Sequence, residues 1–154
     1  MIKRSIVASL ALVSLISTTV FAQAPLPGDT QKAYKALLST KEFAMGGVGF
    51  AGRITESEKA LWVLVQQKDT KRLTDLSKGT NPAARLYAVL GLHYLQHSGY
   101  KKQVIPLPQS KDTVGTFSGC MSSFERISAV ADRFDNGDYD KLLQADMKRL
   151  AKSK

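Results

Sequence analysis

From Leu86 to Leu95 the chain is apolar at nearly every position, "LYAVLGLHYL", so a helix formed there leaves no polar side for water. Its start is marked by Asn81, a side chain that caps free amides, and by Pro82, whose missing N–H costs nothing at the first helical position. Such a helix must be enclosed by others, with Gly91 admitting a close neighbour. One central helix and a shell around it is the organisation this segment imposes.

The flanking segments supply that shell. Asp29 or Thr30 caps a helix carrying Ala33, Tyr34, Leu37 and Leu38 at helical spacing. Thr55 and Glu58 stand in the reciprocal capping-box arrangement and start a second helix at Glu56. Asp69 caps a short third helix with Leu73 and Leu76 inward and Gly79 at its end. Ser122 and Glu125 repeat the capping box ahead of a stripe of Phe124, Ile127, Val130, Ala131 and Phe134, closed by Asn136 and Gly137. Asp138 caps a last helix with Tyr139, Leu142, Leu143, Met147 and Leu150 inward. Between them, Pro106 and Pro108 deny both continuous helix and central strand, leaving Val114 to Phe117 as a brief extended piece able to pair with Val104 to Leu107. The expected fold is all-α: a single compact bundle of about six helices, with a short irregular or extended insert near 104–118.

The first residues set Lys3 and Arg4 before an apolar stretch reaching Val20, then small residues and the proline-rich "QAPLPGD". This is the order of a secretory signal peptide. Cleavage after Ala22 is preferred to cleavage after Ala24, which would put Pro25 first. The expected division is a signal peptide over 1–22 and a single helical domain over 23–154, with a periplasmic or secreted location. Later segments are too short or too interrupted to span a bilayer, so no stable membrane insertion is expected after cleavage. Setting aside Lys3 and Arg4, 20 of the 22 basic residues face 13 acidic ones, a formal charge of about +7. Export turns such an excess away from nucleic acid and towards solubility or anionic envelope partners. The basic end, with Lys148, Arg149, Lys152 and Lys154, matches a helix dipole.

Gly47, Gly49 and Gly52 in "GGVGFAGRITESE" have the spacing of a dinucleotide-binding loop. That chemistry needs a buried strand delivering the chain to the turn, and "STKEFAM" upstream is too short and mixed for one. Asp69, near the distance of a ribose-binding acid, reads as a helix cap. No cofactor is therefore expected. The glycines are read as a compact connection that tucks Val48 and Phe50 under the helices, or as a loop offering Gly47, Val48, Gly49, Phe50, Gly52 and Arg53 to a partner.

Cys120 is the lone cysteine, so an exported domain here has no internal disulfide. Its apolar, small-residue surroundings predict burial. With His93 or His97 and an acid such as Asp112 or Asp132 it is the weak alternative of a cysteine-dependent hydrolase. His93 and His97 share a helix face, but two ligands do not complete a zinc shell, and no metal is expected. Trp62, Tyr87, Tyr94 and Tyr139 fall at helical spacing with core residues and read as packing.

Taken together, "GGVGFAG", "ITESEKAL", "NPAARLYAVLGL", "TVGTFSGC" and "DNGDYDKLL" resemble a group of uncharacterised small exported bacterial proteins sharing a glycine loop, an "LYALLGL"-type helix and a late "GC" turn. The resemblance covers most of the chain after the leader. It implies bacterial origin, export and a helical domain, and it implies no catalytic residue. The function expected is a non-enzymatic module that binds another protein of the cell envelope, in the manner of an inhibitor or immunity protein. The alternatives are the hydrolase and a binder of anionic envelope polymer or lipid surface.

Overall fold

The computed structural model describes residues 29–104, 107 and 111–152, so the expected signal peptide lies outside the described residues. In chain order the elements are α1 (Thr30–Leu38), β1 (Glu42–Val48), α2 (Glu56–Gln66), α3 (Thr70–Ser77), α4 (Pro82–Tyr94), α5 (Tyr100–Val104), β2 (Thr113–Gly119), β3 (Met121–Arg126), α6 (Ile127–Ala131) and α7 (Asp138–Lys152). The strands form one mixed sheet in the order β1-β2-β3, with β1 parallel to β2 and β2 antiparallel to β3. The all-α expectation is therefore corrected to a mixed α/β fold.

Four helix starts follow the expected chemistry, whereas Asp138, expected as a cap, is the first residue of α7. Asp29 accepts from Gln31 N, and Thr55 and Glu58 complete their reciprocal box. Asp69 accepts from Arg72 N, while Asn81 accepts from Ala83 N and Ala84 N with Pro82 at the first position. The helix α4 is the central one: Leu86, Tyr87, Ala88, Val89, Leu90 and Leu92 are fully buried. A Cβ on Gly91 would stand 2.9 Å from Leu61 and 3.0 Å from Leu73, so the close neighbours it admits are leucine side chains.

The sheet overrides the second expected capping box. Gly119 has φ 58°, a left-handed angle, and with Cys120 it makes the two-residue turn that pairs Ser118 with Met121. Met121 to Arg126 therefore fold back along β2, and the helix begins only at Ile127. Ile127, Val130, Ala131 and Phe134 keep their buried stripe, whereas Phe124 leaves it for an exposed strand. Val114 to Phe117 pair with β1 and β3; the expected pairing partner includes residues 105 and 106, which lie outside the described residues.

One hydrophobic core joins the helices to the inner face of the sheet. Across the strands, Phe43, Thr116 and Ser123 share one face, and Glu42, Gly115 and Phe124 share the other. The first row faces inward: Phe43 packs against Tyr87 at 4.8 Å, Phe134 at 6.0 Å and Tyr139 at 5.5 Å between ring centroids. In α7, Leu143 is buried, Tyr139, Met147 and Leu150 pack against the core, and Leu142 is partly exposed, short of its expected inward place.

Candidate functional site

A buried strand does lead into the glycine stretch, against expectation. The strand β1 has only Phe43 and Met45 as inward apolar residues on the alternating pattern, and its parallel partner lies far along the sequence. Its ladder with β2 becomes irregular between Ala44 and Val48, where Gly46 and Gly47 take φ of 85° and 88°. The N–H groups of Gly46 and Gly47 bond to side chains instead of the ladder.

Their acceptors are carboxyl groups of the chain itself. Gly46 N donates to Asp146 Oδ2 at 3.1 Å, and Gly47 N donates to Glu58 Oε1 at 3.3 Å. Glu58 Oε2 accepts from Thr55 N at 2.6 Å, so the same carboxylate caps α2 and holds the bulge. Glu58 is 2% exposed and Asp146 3%. Burial pushes the Glu58 carboxyl above the ordinary glutamate range, the charge of Asp146 adds to that rise, and the hydrogen bonds from Thr55 and Gly47 oppose it. Asp146 is supported by Arg149 Nη1 at 3.3 Å, and Arg149 Nη2 donates to the carbonyl of Gly52. Both bulge amides are thus already paired with carboxyl groups of the chain.

Beyond the bulge the chain makes a braced turn. Val48 and Arg53 exchange two backbone bonds of 2.8 Å, Gly52 N donates to Gly49 O at 2.9 Å, and Gly49 N donates to Gly119 O at 2.8 Å. A Cβ on Gly47 would lie 2.6 Å from Gly52 O, so only glycine fits where the two arms approach. At the tip Phe50 is 101% exposed, contrary to the expectation that it tucks under helices. The bond from Gly49 to Gly119 sets this turn beside the β2–β3 turn, where Cys120 is exposed and Met121 is 77% exposed. The expected contact residues Val48, Gly49, Phe50, Gly52 and Arg53 therefore lie in one hydrogen-bonded turn, with Gly47 buried at its base.

A cleft of about 510 Å³ opens between the inner face of the sheet and α7, with Phe43, Met45, Tyr139 and Leu142 among its apolar lining. Its polar wall is occupied from within. Thr116 Oγ1 donates to Glu125 Oε1 at 2.7 Å, and Arg133 Nη2 donates to Glu125 Oε2 at 2.8 Å. The Thr116 bond, with help from Arg133, holds the Glu125 carboxyl below its ordinary value.

Among the described residues, the hydrogen bonds of His93 and His97 go to groups other than Cys120. His93 Nε2 lies 3.0 Å from Asp140 Oδ2, with its ring 4.7 Å from that of Tyr100, and His97 Nδ1 accepts from Gly99 N at 3.1 Å. Cys120, expected to be buried, occupies an exposed turn because that turn holds it off the core. Among the described residues, no group of three His, Cys, Asp or Glu side chains is placed to hold a metal, and no helix is long and apolar enough to cross a membrane.

Sequence reasoning saw Glu58 as a cap alone and missed Asp146 and Arg149. A signal was present: Asp146 interrupts the apolar stripe of Leu143, Met147 and Leu150. No known protein family, curated protein or solved structure matches this chain.

Proposed function

We propose that this chain is an exported, non-enzymatic module that binds another protein of the cell envelope through the turn from Val48 to Arg53. The observation that carries the reading is Phe50: a wholly exposed aromatic ring held on a turn braced from both sides. Exposed apolar residues at a rigid site are suited to anchor in a partner's pocket, because little conformational freedom is lost on binding. Arg53 gives the turn a charged margin. The glycine stretch supports this use and not nucleotide binding, since its bulge amides are already bonded to Glu58 and Asp146.

The reading is tested by a photoreactive phenylalanine placed at position 50, with exposed Lys71 on α3 as the control position. A discrete adduct is expected at position 50 alone, suppressed by excess unlabelled protein and not by excess Phe50→Ala. The same adducts at both positions, or none, would overturn it. Export is tested on the same material: the chain recovered from the envelope should begin at Gln23.

A further inference from the structure

We propose that Glu58 and Asp146 form a proton-operated clasp, which tightens the Phe50 turn in mild acid and loosens it as the pH rises. The inference rests on the reading of this turn as the contact surface and adds its regulation.

The geometry puts two carboxyl groups from different helices on adjacent amides of one bulge. Glu58 comes from the first turn of α2 and Asp146 from α7, and between them they hold Gly46 N and Gly47 N. The groups facing Glu58 are Thr55 of its own cap, Tyr87 from α4 and Asp146 from α7. Arg149 stands behind Asp146 and ties Gly52 to it, so the far arm of the turn hangs on the same cluster. Burial and the Glu58 charge push the Tyr87 hydroxyl upward, so it stays protonated throughout.

Opening the turn would let water reach Glu58 and return its carboxyl to the ordinary range. The closed clasp therefore binds a proton more tightly than the open one, and by linkage a proton favours closure. Below the raised Glu58 value the carboxyl is neutral, and neither desolvation of a charge nor repulsion by Asp146 opposes burial. Above it both act against closure, while the amide bonds from Gly47 and Thr55 and the Arg149 contact still hold the cluster together. The window lies between the ordinary glutamate value and the raised one. A turn that is more rigid before contact binds more tightly, so recognition through Phe50 should strengthen on mild acidification.

Amide hydrogen exchange at Gly46, Gly47, Val48 and Arg53, corrected for intrinsic base catalysis, is measured from about pH 4.5 to about pH 7.5. Protection is expected to fall with rising pH across one titration. In Glu58→Gln the profile should be flat, and in Asp146→Asn its midpoint should move down, because the charge that helps to raise Glu58 is gone. If Glu58→Gln does not fold, the shift in Asp146→Asn carries the test. Protection that is constant or grows with pH, or a slope kept in Glu58→Gln, overturns the clasp. Adducts at position 50 with flat protection would sink the clasp and leave the contact reading standing. Titrating protection without adducts would do the reverse.

Discussion

The hydroxyl of Tyr87 closes the outer edge of β1 by bonding both backbone groups of Ala44, accepting from its N–H at 2.9 Å and donating to its carbonyl at 2.8 Å. A side chain from the central helix thus takes the place of a fourth strand. Tyr87→Phe keeps the ring contact with Phe43 but leaves a buried N–H and C=O without partners. The expected loss is about 2–4 kcal/mol in urea unfolding. A loss within error would mean the edge is satisfied in another way.

Gly47 lies where β1 and the chain beyond the turn approach most closely. Gly47→Ala combines a φ of 88° with a Cβ contact of 2.6 Å to backbone, which no rotamer relieves. The account predicts a loss of at least about 2 kcal/mol, with the largest amide shift changes between Val48 and Arg53. Gly49→Ala has open space around its Cβ and only the φ of 73° against it, so it should cost less.

Asn81 caps α4 and also reaches back to the end of α1 and the loop after it, where Nδ2 donates to Leu38 O at 3.0 Å and Thr40 O at 2.7 Å. Asn81→Ala should cost about 2 kcal/mol, the upper end for a lost cap. Asn81→Asp keeps the cap and loses the two donors, so it separates the two roles by chemical denaturation.

Glu125 is held ionised by Thr116 and Arg133. A carboxyl whose folded value is lowered contributes stability above its unfolded value, and that contribution disappears as pH falls through the folded one. Glu125→Gln is expected to cost about 0.5–1 kcal/mol near neutral pH and close to nothing in strong acid, measured by urea titration at both. A cost that grows on acidification would contradict the assignment.

Sequence pattern revealed the helices where local chemistry decided them. Asp29, Thr55 with Glu58, Asp69 and Asn81 each cap where a single side chain meets a free amide a few residues on. The sheet was hidden for the opposite reason. The strand β1 pairs in parallel with a distant segment, so no turn chemistry joins the two. Ser122 and Glu125 fit a capping box in sequence, yet Gly119 and Cys120 are the Gly-first signature of a tight hairpin, and the ladder won. The glycine turn itself was legible as a compact connection from Gly47, Gly49 and Gly52. Its filling by Glu58 and Asp146 depends on α2 and α7 converging on β1, which spacing does not encode.

The central claim is that the bulge amides serve internal carboxylates, leaving Phe50 as the feature offered outward. The most direct measurement follows the amide resonances of Gly46 and Gly47 while pyrophosphate is added at neutral pH. The account predicts no saturable movement of either resonance. Saturable shifts centred on these two glycines would show an open anion cradle and contradict it.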